Sequence, residues 1–429
     1  MRNLAIQFGR IMRWTLRFPV FAFVLTGAFI FASMPAAHAQ TFSVLHTFTG
    51  GGDGWAPYAG LTIDSAGNLY GTTSEYGAGY SGTVFQIKRK NGAWLFSTLS
   101  DFSGNSYGRI PEGRPVFGPG GALYGTTLYG GTGGCTELGC GAVYSLRPPQ
   151  TFCRSVSCPW GDSSVYPFPG IGALGNQPEL VDPAFDGAGN LYGTTSYGGA
   201  GDSGNVFELV RSNGAWTATS IHDFDGSDGY LPQSGVILDP QGNVYGTAFQ
   251  GGPNNKGSVY QLTNTGSSWT FETLYAFPNA ADGSNPVGAL VRDRAGNLYG
   301  STFVGGVNGG GTIFELSPSG GGWNFTVLYS ITGTGGNPGP LTALTLDAAG
   351  NLYGTNYLAG AFGYGSVFKL TNNHGTWSYT DLHDFTGGSD GSYPISEVVM
   401  DANGNLYGTA SGGGSLPQCR CGVVWEIAP

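Results

Sequence analysis

Four copies of Asp-Gly-x-x-Pro, from Asp53 to Pro57, Asp228 to Pro232, Asp282 to Pro286 and Asp390 to Pro394, set a carboxylate at matching points of a repeating chain. Converging on one opening, Asp53, Asp228, Asp282 and Asp390 would suit Ca²⁺, which takes oxygen ligands. Aromatic residues follow a recurrent Tyr-Gly-Thr at Tyr76, Tyr129, Tyr197, Phe249, Phe303 and Tyr357, and such rings stack on sugar faces. These ten residues are the candidates for a binding face. The same Asp-Gly-x-x-Pro is also plain turn chemistry, in which Asp caps its own backbone and Pro fixes the chain before a strand. Residues 223–229 pack three carboxylates into a short loop, but the bidentate acid that completes a calcium loop is missing.

No catalytic residue is assigned. Asp64, Asp186, Asp239, Asp293, Asp347 and Asp401 recur at one hairpin position, and a group every repeat needs belongs to the turn rather than to catalysis. Outside the first 39 residues the histidines are His46, His222, His374 and His383. His46, His222 and His383 align with Ser100, Tyr166, Tyr275 and Tyr329, which marks a tolerant strand position rather than a tuned base. No Gly-rich run continues into the Lys-Ser or Lys-Thr of a phosphate loop.

The elements that must position these residues are β-strands. The chain of 429 residues holds 78 Gly, 14% aromatic and only 10% charged residues. That is too apolar for disorder and too rich in turn formers for a helical protein. The motif Gly67-Asn68-Leu69-Tyr70-Gly71-Thr72 recurs with its Asn position at Asn68, Ala122, Asn190, Asn243, Asn297, Asn351 and Asn405. Their spacing is 54, 68, 53, 54, 54 and 54, the outlier reflecting extra residues around Cys153 to Cys158. Within one unit four short β segments are expected, at 60–64, 68–74, 83–88 and 93–102. Four antiparallel strands per unit make a propeller blade.

The fold expected is therefore all-β, a seven-bladed β-propeller over residues 40–429, with repeats near 58–102, 113–168, 179–224, 233–277, 287–331, 340–385 and 395–427. The seventh unit stops before its fourth strand. The segment 41–48, Thr-Phe-Ser-Val-Leu-His-Thr-Phe, matches the fourth-strand pattern of Trp377 to Phe385, so the N-terminal strand is expected to complete the last blade and remove its open edge.

The GNLYGT…GxVFxL repeats resemble the GloVer tandem-repeat family of exported bacterial proteins, from Thr41 to the C-terminus. Members carry varied C-terminal anchors, whereas this chain stops at Trp425 to Pro429, which points to release or periplasmic residence rather than anchoring.

Residues 1–39 read as a signal peptide: Arg2, Arg10, Arg13 and Arg17 precede an apolar run from Phe18 to Phe31, and small residues follow to a cleavage point near Ala39. Cleavage would lower the basic count from 17 to 13 against 27 acids, a net charge of −14, which disfavours nucleic acid and leaves no membrane span. In an oxidising compartment Cys135 with Cys140 and Cys153 with Cys158 are expected to form disulfides, while the state of Cys419 and Cys421 is open. The expected function is a monomeric, non-catalytic binding or scaffold module for a glycan, a peptide or a cell-surface protein. It calls for no cofactor unless Ca²⁺ sits on the carboxylate face. The alternative is a metal-dependent hydrolase or lactonase with an ion in the central channel.

Overall fold

Short β-branched and aromatic runs alternate with Asp, Asn and Gly turns along each repeat, and each repeat folds into one antiparallel sheet of four strands. The computed structural model describes residues 40–429 apart from 105–107, 136, 150–159, 171–173, 334–338, 341 and 417–418. Seven such sheets make a seven-bladed β-propeller. In blade 1 the strands run Thr62–Ile63, Leu69–Thr73, Thr83–Lys90 and Ala93–Asp101 from the channel outward. The innermost strand is shorter than the expected 60–64, because the residues before it leave the sheet to line the channel.

Blade 7 is built from Val399–Met400, Leu406–Ala410 and Val423–Ala428, and Thr41–Thr47 supplies its outer strand. Thr41 pairs with Ala428 and Thr47 with Val423 in an antiparallel ladder. The expected closure by the N-terminal strand is what the structure shows. The signal-peptide reading of 1–39 and the pair Cys153 and Cys158 lie outside the described residues. Cys135 and Cys140 are joined by a disulfide, and Cys419 and Cys421 are brought side by side.

The core lies between blades. Leu61, Leu69 and Phe85 of blade 1 pack with Phe48, Tyr407 and Val424 of blade 7, and the other seams repeat the pattern. The glycine of each Tyr-Gly-Thr faces an aromatic ring of the next strand, as Gly71 faces Phe85 and Gly408 faces Trp425. The tyrosine of that motif packs edge-on against a tryptophan of the adjoining blade, as Tyr192 does on Trp269 at 6.1 Å. In six blades its hydroxyl donates to the hairpin aspartate. Asp64 also accepts from the backbone N–H groups of Ala66 and Asn68 and from the Asn68 side chain, which accounts for its recurrence as a turn residue.

The fourth-strand position shared by histidine and tyrosine joins neighbouring blades. His46 stacks on Phe96 at 4.0 Å, His222 on Phe271 at 3.9 Å, Tyr275 on Phe325 at 3.9 Å, Tyr329 on Tyr379 at 4.5 Å and His383 on Phe42 at 3.7 Å. In these five blades that position supplies a flat ring, and in blade 1 Ser100 takes its place. Imidazole and phenol both supply the ring, so the sequence tolerates either.

Candidate functional site

The loops between blades decide what reaches the channel. Each Asp-Gly-x-x-Pro carboxylate is spent within its own loop. Asp53 lies 3.1 Å from His46 Nε2 and accepts the Thr49 N–H at 2.9 Å; Asp228 lies 2.9 Å from His222 Nε2. Asp282 accepts from the Tyr275 hydroxyl at 2.8 Å, and Asp390 lies 3.2 Å from His383 Nε2. Burial opposes the charge on Asp53, yet the hydrogen bonds from His46 and Thr49 prevail and hold its pKa below the usual carboxylate range. For His383 burial outweighs the pull of Asp390 and depresses the imidazole pKa. Among the described residues no group of three or more His, Cys, Asp or Glu side chains is placed to hold a metal ion.

The residue before the loop proline has a left-handed backbone in six blades: Ala56 (φ 56°), Ile110 (59°), Gln177 (56°), Leu231 (54°), Asn285 (60°) and Tyr393 (59°). Such angles are unfavourable for residues other than glycine, and most so for a β-branched one. They persist because both peptide groups are fixed. The Ile110 N–H donates to the Ser81 carbonyl of the previous blade at 2.9 Å, and the Ile110 carbonyl accepts from Leu128 N–H at 3.0 Å. The chain is thereby turned inward, and the residue after the proline faces the axis.

That position departs from the repeat. It holds Tyr58, Glu112, Glu179, Gln233, Val287 and Ile395, all lining a cavity of about 290 Å³ in the channel. Phe249 and Phe303 complete an apolar side, their rings 6.2 Å apart. One half of the wall is therefore acid and amide, the other half hydrocarbon. Glu179 is oriented by the Gln233 side-chain N–H at 2.9 Å and the Ser196 hydroxyl at 3.4 Å. For Glu112 burial, reinforced by the charges of Glu179 and Glu75, pushes the pKa up to about 8.

Below this cavity, Arg114 of blade 2 donates through Nε to Asp182 of blade 3 at 3.1 Å and reaches Glu397 of blade 7 at 3.0 Å. The pair to blade 7 passes blade 1, where Gly60 leaves room: a Cβ there would lie 3.1 Å from Glu397 Cβ and 3.4 Å from Arg114 Cδ. Burial works against the Arg114 charge, but Glu397 and Asp182 prevail and hold its pKa above the ordinary arginine value. Burial pushes Glu397 up to about 7 against the pull of Arg114. A second cavity of about 320 Å³ opens beyond, sharing Asp182, Ala289, Ala343 and Glu397 with the first. The ion cluster thus sits at the waist of the channel.

The protonation of Glu112 has a measurable result. Its pKa is 4.5 in ordinary surroundings and about 8 here, so the folded protein holds this proton more tightly than the unfolded chain. The associated stability is full below the unfolded value and is lost as pH rises through the folded one. Glu112→Gln is expected to flatten the fall in Tm between about pH 5 and about pH 9 and to leave the variant more stable than the parent at the alkaline end. Thermal melts across that range that remain parallel for the two proteins would refute the assignment.

Of the ten binding-face candidates, Phe249 and Phe303 line the cavity and Tyr357 lines an adjoining groove. Asp53, Asp228, Asp282, Asp390, Tyr76, Tyr129 and Tyr197 line neither. The aromatics divide by register. Phe249, Phe303 and Tyr357 stand four residues after the Tyr of Tyr-Gly-Thr, whereas Tyr129 and Tyr197 stand five after it and Tyr76 six. In extended chain one residue of offset turns a side chain to the opposite face, which accounts for Tyr129 and Tyr197, while Tyr76 sits in a turn with a left-handed backbone, φ 60°. Sequence reasoning missed Glu112, Arg114, Glu179, Asp182, Gln233 and Glu397; the available signal was that one position after each loop proline varies where its neighbours repeat.

Three overlapping stretches, 26–239, 166–337 and 234–429, match the model of the Gloeobacter/Verrucomicrobia repeat. No curated protein matches the chain. Among solved structures, a protein of Thermus thermophilus described as an oxidoreductase (glucose dehydrogenase) is 15% identical, with 90% of this chain and 99% of that one covered at a TM-score of 0.40. One from Bacteroides uniformis described as a 6-phosphogluconolactonase is 15% identical over 82% and 89% at 0.49, and one of unknown function from Dyadobacter fermentans is 12% identical over 91% and 98% at 0.45. At those scores none of the three bears on the chemistry of the channel. The matched stretches span the whole propeller, and the chain belongs to the Gloeobacter/Verrucomicrobia repeat family.

Proposed function

We propose that this propeller is a non-catalytic binding module that holds one sugar residue of a glycan in its channel cavity. The observation that carries the reading is the divided wall, with Glu112, Glu179 and Gln233 facing Phe249 and Phe303. A pyranose presents a hydrocarbon face and a rim of hydroxyl groups, and these two surfaces match the two halves. Glu179, already oriented, accepts from hydroxyls. Protonated Glu112 both donates and accepts, and Gln233 does the same. A cavity of about 290 Å³ admits a single ring rather than a polymer segment.

The arginine-led apolar leader and the Cys135–Cys140 disulfide support export, with processing near Ala39 and residence in the periplasm or outside the cell. N-terminal sequencing of the protein from those fractions tests this.

A second reading, hydrolysis, is favoured by one observation. Glu112 and Glu179 share the cavity while their surroundings differ, which is how a general acid and its partner carboxylate are set apart. A glycan array followed by calorimetry and product analysis separates the two. Binding without turnover is expected, and Phe249→Ala is expected to weaken it about tenfold, the loss of one ring contact. Released product would favour the hydrolase, and absence of binding across the array would refute both.

A further inference from the structure

We infer that the groove over the seam between blades 7 and 1 is a second subsite, which takes a carboxylate-bearing sugar linked to the residue in the channel. This rests on the channel reading above. The groove has a volume of about 430 Å³ and shares Tyr58 and Ile395 with the channel cavity, so a ligand leaving the channel on that side enters it directly.

Its walls carry the rings of Trp55, Tyr58, Tyr357 and Tyr393, with Tyr357 and Tyr393 5.5 Å apart. Partly exposed aromatic rings with polar edges are surfaces on which a second sugar can lie. Among the described residues Arg420 is the only cation in this wall. It is exposed, and among those same residues it forms no ion pair, in a chain where acids outnumber bases 27 to 17. Its loop is fixed on both sides of the seam. The Ala56 N–H of blade 1 donates to the Cys421 carbonyl at 3.1 Å, and the Gly422 N–H donates to the Gly413 carbonyl at 3.1 Å.

Charge sets the direction of the ligand. Glu75, also in the groove, acts electrostatically on Tyr58 and Glu112 and so belongs to the channel end. A carboxylate is repelled from the end held by Glu75 and Glu179 and is attracted at the Arg420 end. The neutral residue therefore occupies the channel and the acidic one the seam.

The test uses uronate-containing oligosaccharides of three to six residues, each paired with its methyl ester, titrated against the full propeller by calorimetry at low salt. The free acid is expected to bind about tenfold more tightly than its ester, a charge-assisted contact, and the preference to weaken with added salt. Arg420→Gln is expected to abolish the preference by weakening the free acid about tenfold more than the ester; Phe249→Ala is expected to weaken acid and ester alike. Equal binding of acid and ester by the parent protein would overturn this inference and leave the channel reading standing, as would an acid preference that survives Arg420→Gln. Binding of neither form would remove both. Displacement of the bound acid by an oligo-glutamate peptide would show that the seam reads an acidic peptide and would overturn the sugar assignment.

Discussion

A chain lacking residues 40–48 is expected to lose the single cooperative unfolding transition of the intact propeller and to associate through the outer edge of blade 7. The missing strand carries more than its ladder to Val423–Ala428. Phe48 is fully buried in the seam with blade 1, Phe42 stacks on His383 and stands edge-on to Phe385, and His46 stacks on Phe96. Large buried side chains contribute roughly 1.5–3 kcal/mol each, so losing Phe42 and Phe48 with the ladder removes about 5 kcal/mol, comparable with the net stability of many domains. The exposed strand of Val423, Val424, Trp425 and Ile427 is apolar and unpaired, which is the condition for edge-to-edge association. Calorimetry with size-exclusion chromatography reads both effects, and a synthetic 40–48 peptide added in trans is expected to restore the monomer. An unchanged Tm with a monomeric elution profile would show that closure of the ring does not depend on this strand.

Gly300→Ala is expected to destabilise the protein by about 2–3 kcal/mol, an overpacking cost at the upper end of the usual range. Gly300 faces Phe314 across the sheet, and an added Cβ would lie 2.5 Å from Phe314 Cζ and 2.8 Å from Leu290 Cδ2. Its role is steric: the ring of Phe314 occupies the volume a side chain would need. Gly187→Ala is the control, since a Cβ there has nothing within 4 Å, and its Tm is expected to stay within about one degree of the parent. The double variant Gly300→Ala with Phe314→Leu is expected to recover part of the loss, because the two changes act on one contact. A Gly300→Ala melt indistinguishable from that of Gly187→Ala would refute the packing account.

The blades and their closure were legible because each feature recurs from blade to blade. The buried strand Leu69 to Thr73, the Asp64 hairpin and the ring position of His222 are demands that the repeat makes again and again. The fourth-strand match at 41–48 was legible because closing a ring leaves no choice of partner for the last sheet. The channel was not legible in the same way. Its chemistry sits where the repeat is silent, at Glu112, Glu179 and Gln233 after the prolines and at Arg114, Asp182 and Glu397 two or three residues further on. Asp53 and its counterparts drew attention because they recur, and the structure accounts for that recurrence inside their own loops. The reach of Arg114 past Gly60 to Glu397 joins three separate repeats, so no pattern within one repeat could announce it.

The seam where the ring shuts also makes the groove a record of completeness. One bank, with Trp55, Tyr58 and Glu75, comes from the start of the propeller, and the other, with Tyr393, Ser411 and Arg420, from its end. A truncated chain or a stalled nascent chain has one bank only, and a molecule sprung open at blade 7 holds the two apart. Whatever occupies this groove therefore meets finished rings alone, and by spanning both banks it acts as a clasp, adding its own binding free energy to the closed form.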